Sequence, residues 1–341
     1  MCEDHVDTLQ AMIVVSHVMA SVTHDIGELA PSRIASGVTF AVTGAASFAM
    51  AGPLAKGLIS AGWTAGSAVT ARVLIAAAVL LVPGLLSMRG RWHLLRANLG
   101  LLAAYGLIAV AVCQLCYFNA VDRMQVGVAL LIEFTCPVAV LLWMWWRHAQ
   151  RPSRLTSVGA VLAIGGLFLV LDLTSGADID PLGLAWAFGA MICAAFYWIL
   201  SADEDNGLPG IALAAGGMTF GGLTLLVAGI VGVVPFGSSR RDVELAGTML
   251  PWWSALLVLG VVTAALAYVL SIEGSRHLGS RLGSFVGLAE AVFGVLFAWL
   301  LLSETPLPVQ LLGGLLILGG VVLVKLGEPR PEPAPRAGPT P

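Results

Sequence analysis

Of the 20 acidic residues in this chain of 341, only Glu133 and Glu290 stand well inside an apolar run. A charged side chain in such surroundings is costly unless it meets a partner or a wet cavity. A carboxylate held there can bind a proton or a substrate amine. It can equally be a hydrogen-bonded group that fixes helix packing. Arg72 stands inside a second apolar run. It could pair with Glu133, or hold a substrate carboxylate in its planar fork. The competing readings are a structural ion pair and snorkelling to the surface, and for Lys56, at the end of the first run, snorkelling is the reading adopted. Gln114 and Tyr117 are three residues apart and share a helical face, with Asn119 close behind. They could line a cavity or join neighbouring helices. Tyr197, Trp198 and Tyr268 offer aromatic cavity walls, against which interfacial anchoring competes. The candidate site for substrate and protons is therefore Glu133, Glu290, Arg72, Gln114, Tyr117, Asn119, Tyr197, Trp198 and Tyr268.

Other chemistry is missing from the sequence. Cys113 and Cys116 form a Cys-x-x-Cys in an apolar run with no His or Asp beside them, and are read as small packing residues. All six histidines (5, 17, 24, 93, 148 and 277) fall outside the apolar runs. There is no Gly-x-x-x-x-Gly-Lys-Ser/Thr, no His-Glu-x-x-His and no Gly-x-Ser-x-Gly. We therefore expect no enzyme, no metal, no cofactor and no direct use of ATP.

The elements that hold these residues follow from composition. The chain is 58% hydrophobic and 11% charged, with a mean hydropathy of +0.92. A soluble domain carries about 25% charged residues, so lipid must be part of the solvent here. The net charge of -3 gives no polyelectrolyte signal and disfavours nucleic acid. Ten apolar runs of spanning length lie near 36–57, 64–87, 98–119, 126–146, 155–173, 182–201, 211–235, 252–271, 282–302 and 307–325. The fold class expected is an all-α membrane protein of ten transmembrane helices.

Residues 1–35 read as a cytoplasmic extension without a secretory signal, because Glu3, Asp4 and Asp7 stand where such a signal needs positive charge. The tail 326–341 holds six of the 17 prolines and reads as disordered. With the N-terminus cytoplasmic, 12 of the 17 Lys and Arg fall on the inside and three on the outside. This places both termini in the cytoplasm. Trp143, Trp145 and Trp146, just before Arg147, read as a cytoplasmic aromatic belt.

A shift of 154 residues overlays Val138 on Val292, Trp145 on Trp299, Gly159 on Gly313, Gly165 and Gly166 on Gly319 and Gly320, and Val170 on Val324. The glycine pairs read as points of close helix approach. The loops before the fourth and ninth helices differ in length, so the register is expected to slip upstream of them. The chain then divides into five-helix repeats at 36–173 and 174–325. Five is odd, so the second repeat enters the membrane inverted. Inverted repeats are the signature of carriers with a binding site between the halves.

The run Gly-Val-Ala-Leu-Leu-Ile-Glu-Phe-Thr-Cys-Pro (127–137) resembles the fourth helix of the drug/metabolite transporter superfamily, EamA type. The threonine/homoserine-exporter-like branch is the nearest in pattern. Gly52-Pro53-Leu54-Ala55-Lys56, Arg72, Leu-Leu-Ser-Glu (301–304) and the glycine-paired segment 311–320 also resemble that family. Ala291, Ser303 and Val73 depart from its pattern, where Pro, Gly and Phe are usual. The resemblance covers residues 36–326 and implies secondary export of small organic solutes.

The expected function is a secondary transporter of the inner membrane. It exports an amino acid or drug-like solute, by proton antiport with alternating access. The alternative is a membrane binding or sensor subunit without turnover. The expected partners are the lipid bilayer, a small-molecule substrate and protons, with a homodimer left open.

Overall fold

A computed structural model describes residues 31–136, 138, 153–170, 180–201, 207–271, 273–274, 277 and 288–327, without the side chains of 31–34, 197–201 and 325. Residues 1–30, the tail from 328, the tryptophans 143, 145 and 146, and the acidic loop 203–205 lie outside the described residues.

Helix α1 comprises Pro31–Ala49 and Ala51–Ser60. Its break has a local cause: Pro53 has no N–H, so the Ala49 carbonyl loses its partner. α2 (Ala65–Ser87) is capped by the Thr64 hydroxyl, which accepts the Ser67 N–H at 3.2 Å. α3 (Leu99–Arg123), α4 (Val126–Glu133), α5 (Arg154–Val170), α6 (Pro181–Ser201), α7 (Gly210–Ile230), α8 (Trp252–Ser271), α9 (Ala289–Leu302) and α10 (Pro308–Gly327) follow. Five described helices are long and apolar enough to cross a membrane: Ala35–Ser60, Ala65–Ser87, Leu99–Arg123, Gly210–Ile230 and Trp252–Ser271. Arg154–Val170, Pro181–Phe196, Ala289–Leu302 and Pro308–Val324 are shorter apolar helices.

Several sequence-based boundaries need correction. The chain is already helical at Pro31, and α10 runs on to Gly327, so both expected extensions overlap a helix. α7 ends at Ile230 rather than 235. The fold is not purely helical. Between α7 and α8 lies a hairpin, β1 (Val243–Leu245) antiparallel to β2 (Thr248–Leu250), joined by Ala246 and Gly247 at φ 51° and 70°. Two consecutive positive φ values make the tight turn that matches strand twist.

The core is built on α2, whose Ala68, Val69, Val73, Ala76 and Leu80 are all buried, with α1, α3 and α8 packed around it. Both α3 and α8 widen into π-type turns at mid-length, over Tyr105–Val112 and Val258–Leu266. Such turns are rare and gather at functional sites. The shift of 154 carries 105–112 onto 259–266. The slip of register expected before the ninth helix falls on 278–287, which lie outside the described residues.

α5 and α10 run antiparallel along a glycine seam. A Cβ added to Gly159 would lie 2.5 Å from the Gly320 carbonyl oxygen, and one on Gly166 would lie 2.5 Å from that of Gly313. Gly165 and Gly319 have nothing within 4 Å. Of each glycine pair read from sequence, only the second member permits close approach, and its true companion is seven residues upstream.

Candidate functional site

Arg72 is the only charged side chain among the described buried residues, at 3% exposure. One turn-face of α2 carries it into the space between α3 and α8. Its Nη1 donates to the Gln114 side-chain oxygen on α3. Its Nη2 donates to the Thr263 carbonyl on α8 at 2.7 Å. Thr263 is fully buried within the π-type stretch, and its hydroxyl donates to the Leu259 carbonyl at 2.6 Å. Phe118 covers the guanidinium, with its ring centroid 5.6 Å from Cζ. The Arg72 Nε is buried and has no hydrogen-bond partner. A buried donor left unpaired costs about 1–3 kcal/mol, so this fork keeps an unused valence at the centre of the bundle.

Glu133, Glu290, Tyr117 and Tyr268 all lie within electrostatic reach of Arg72. Glu133 is the last residue of α4 and is partly buried. The helix stops there for a readable reason. Residue 137 is proline and cannot donate to the Glu133 carbonyl. The chain tightens into three-residue turns instead, Thr135 N–H to the Ile132 carbonyl at 3.0 Å and Val138 N–H to that of Thr135 at 2.9 Å. An interrupted helix beside a carboxylate inside an apolar bundle is the arrangement carriers use for charged cargo. The carbonyl end of a helical segment also favours positive charge. Glu133 Oε1 accepts a weak bond from the Cys113 thiol at 3.9 Å. Glu290 lies in the first turn of α9 and is likewise partly buried.

The aromatic residues close this space from α1. Tyr117 is buried, and its hydroxyl occupies the position where a Cβ on Gly52 would stand, 2.4 Å away. Tyr268 is buried edge-on against Phe48 at 5.0 Å.

Six of the nine sequence candidates are thus brought together: Arg72, Gln114, Tyr117, Glu133, Tyr268 and Glu290. Asn119 is turned elsewhere and donates to the Leu115 carbonyl of its own helix at 2.7 Å. Tyr197 and Trp198 lie on the α6 backbone, with side chains outside the described residues. Sequence reasoning missed Phe118 and the Thr263 carbonyl. The one signal for the latter was a lone threonine in the apolar run 258–268.

Lys56 requires a correction. It does not snorkel: its Nζ pairs with Glu304 at 2.7 Å and donates to the Met124 carbonyl at 2.7 Å. Cys113 and Cys116 pack on α6, against the Ala190 carbonyl and Gly189. The four described cysteines are free thiols, and the described residues contain no grouping of His, Cys, Asp and Glu with metal-site geometry.

Against known proteins, a solved crystal structure shares the fold at a TM-score of 0.55 and 20% identity, covering 86% of this chain and 97% of its own. The uncharacterized inner membrane transporter YicL of Salmonella typhimurium LT2 is 24% identical over 67% of this chain and 74% of its own length. The threonine/homoserine exporter RhtA of Escherichia coli K12 is 29% identical over 62% of this chain, and the match spans 65% of that exporter. The model of the EamA-like transporter family matches residues 35–172 and again residues 181–326. That double match takes in most of the chain, and the protein belongs to the EamA-like transporter family.

Proposed function

We propose that the protein is a secondary carrier of the inner membrane that exports a small amphipathic metabolite, such as an amino acid, in exchange for protons. The observation that carries this reading is the Arg72 fork with its unpaired Nε, held amid Glu133 and Glu290 where α2, α3, α4, α8 and α9 meet. The guanidinium receives a substrate carboxylate. The two carboxylates receive its amine or the counter-transported proton. Tyr117, Tyr268 and Phe118 shield the site from lipid. The export of threonine and homoserine named for RhtA supports a zwitterionic cargo.

The carrier works by alternating access between two inverted five-helix repeats, residues 36–173 and 174–325, each crossing the membrane five times. Three observations support this. The neighbours of Gly159 are Gly320, Leu323 and Val324, and those of Gly313 are Gly166, Leu169 and Val170, the same set moved by 154. Such reciprocity is what a two-fold axis between α5 and α10 produces. The π-type stretches of α3 and α8 coincide under the same shift. The packing between halves is also reciprocal. α2–α7, α4–α9 and α5–α10 pair across the axis, while α3–α7 has its mate in α2–α8, α3–α6 in α1–α8, and α4–α6 in α1–α9. Both termini are cytoplasmic, in keeping with the bias of 12 inside to three outside among Lys and Arg.

The test is flux of labelled threonine and homoserine from liposomes carrying the purified protein, with and without a pH gradient. Wild type is expected to show gradient-dependent flux, and Glu133→Gln to abolish it while remaining folded. Normal gradient-driven flux by Glu133→Gln would overturn the coupling role. A folded wild type that moves neither solute under any gradient would remove amino acids as the cargo.

A further inference from the structure

The end of the molecule opposite Pro31 and Gly327 carries a polar device that the central site does not use. Glu304 follows α9 and occupies both its oxygens on the other half of the protein. Oε1 pairs with Lys56 of α1 at 2.7 Å, and Oε2 accepts the Val126 N–H, at the start of α4, at 2.9 Å. Lys56 also donates to Met124 in the α3–α4 turn. One carboxylate therefore ties α1, the α3–α4 turn and the end of α9 into one knot.

The knot is built, not incidental. The lysine and glutamate side chains are 25% and 13% exposed, well below an ordinary surface pair. The direction of Glu304 is fixed by its backbone. Ser303 adopts a left-handed φ of 56°, and the N–H groups of Ser303 and Glu304 fold back onto the Trp299 and Ala298 carbonyls. The hairpin completes the closure. Val243 and Leu245 are buried against Gly57, next to Lys56, and the Ala246 N–H bonds to the Leu301 carbonyl at 2.8 Å. The connection leading into it is fastened to the α1–α2 turn, with Trp63 Nε1 donating to the Ser239 carbonyl at 2.9 Å and the Thr64 N–H to that of Gly237 at 3.0 Å.

We propose that Lys56 and Glu304 form the gate latch of this end: the ion pair and its Val126 bond hold the end closed in the conformation seen here and break when the central site opens through it. This inference rests on the alternating-access reading above. A bonded charge pair that must be desolvated to form and resolvated to open suits a latch better than an apolar seam. Its two states differ by a modest free energy, and each half keeps a soluble partner when they part. Arg123 and Asp180 also bridge the halves at this end, at 3.0 Å, but both are more than a third exposed and should contribute little.

The test is a distance measurement by paired spin labels at the exposed Ser60 and Thr305, in the full-length protein in lipid nanodiscs. It needs no substrate. The wild type should give two distances, with the short one dominant. Glu304→Ala and Lys56→Gln should each raise the long population relative to the short by about tenfold, the effect of removing one bonded partner from a partly buried pair. The exchanged pair Lys56→Glu with Glu304→Lys should restore much of the short population, and Asp180→Asn should leave the distribution as in wild type. A single short distance in every variant would overturn the proposal. So would lengthening in Glu304→Ala that the exchanged pair fails to reverse, since a loss of packing alone does that. Failure of the transport reading is separate: it shows as absent flux in liposomes, whatever the labels report.

Discussion

The glycine seam gives the sharpest test of the structure, because it sets neighbouring glycines in opposite roles. In Gly166→Ala the new methyl would stand 2.5 Å from the Gly313 carbonyl oxygen, 2.8 Å from the Ile317 nitrogen and 2.9 Å from the Leu316 Cβ. Two of these are backbone atoms of a helix and cannot turn aside. Ordinary contact begins near 3.4 Å, so α5 and α10 must separate by most of an ångström. A gap of 0.5–1 Å forfeits roughly a quarter to a half of each dispersion contact along the interface. Overpacking of this kind costs about 1–3 kcal/mol. With three contacts violated at once the upper value applies, and the better helix propensity of alanine returns about 1 kcal/mol. The net loss is about 2 kcal/mol, or a fall of roughly 3 °C in unfolding temperature for a chain of this length. Gly165→Ala meets nothing within 4 Å and should hold or raise the unfolding temperature through propensity alone. The assay is thermal unfolding in one detergent at a fixed scan rate, with size-exclusion to follow the folded fraction. The double variant Gly166→Ala with Gly313→Ala adds a second check. Once one methyl has parted the helices the other finds room, so the combined loss should fall short of the sum. Equal effects for Gly165→Ala and Gly166→Ala would refute the seam, and strict additivity would refute its face-to-face geometry.

Ser303→Gly should raise the unfolding temperature by about 1–3 °C, since a left-handed φ costs a side-chain-bearing residue about 1–2 kcal/mol and glycine's greater unfolded entropy returns part of it; the same thermal scan measures it, and a decrease would contradict the φ of 56°. The Arg123 hydrogen bond, followed by the Leu182 N–H, holds the Asp180 carboxyl below its ordinary value of 3.8. The group is thus charged and bonded in the fold down to more acid pH than in the unfolded chain, and its contribution is complete above pH ~4 and lost as pH falls through the lowered value. Asp180→Asn, which keeps a helix-capping side chain, should flatten that part of the stability profile below about pH 4 and leave the profile at pH 7 without this slope; a wild-type slope in the variant would assign the acid loss elsewhere. Cys116→Ala should keep threonine flux in liposomes and lose about 1–2 kcal/mol of stability at most, because that thiol packs on α6 against Gly189; lost flux in a folded variant would give the Cys-x-x-Cys a role in transport.

What the sequence made legible was whatever depends on residue type in a periodic context. The helices stand where the apolar runs do, and Arg72, Glu133 and Glu290 declared themselves as charges in hydrocarbon. The break at Glu133 was missed in a run read as continuous over 126–146, although Pro137 four residues on removes the donor its carbonyl needs. What stayed hidden depends on phase and on distant partners. Which glycine of Gly165–Gly166 meets α10 is set by the helix rotation. The seven-residue spacing of Gly159 and Gly166, repeated at Gly313 and Gly320, carried that information and is two helical turns long. The hairpin was unreadable because its strands are three residues each, too short for alternation to show. Lys56 and Glu304 are far apart in sequence, and neither residue type announces the other. The Thr263 carbonyl belongs to the backbone, which every residue shares, so no residue type marks it as a partner of Arg72.

The frame and the site obey opposite rules. In the proposed repeat the seam of α5 and α10 is symmetric in its closest backbone contacts, with glycines 159 and 166 answering 313 and 320. At the centre the symmetry stops. Arg72 on α2 reaches the widened stretch of α8, whereas α7 meets the widened stretch of α3 without a charge: Gly217 lies against the Tyr105 ring, and Gly221 against the Gly106 carbonyl. One interface between halves is thus close-packed and the other is polar with a spare donor. A symmetric frame lets two arrangements of the halves have nearly equal energy, which a rocking carrier needs. An asymmetric centre gives the cargo one orientation and the bundle one charged wall. The cost of the unpaired Arg72 Nε is then understandable, because a fully satisfied arginine would stabilise the empty bundle and leave nothing for a substrate to complete.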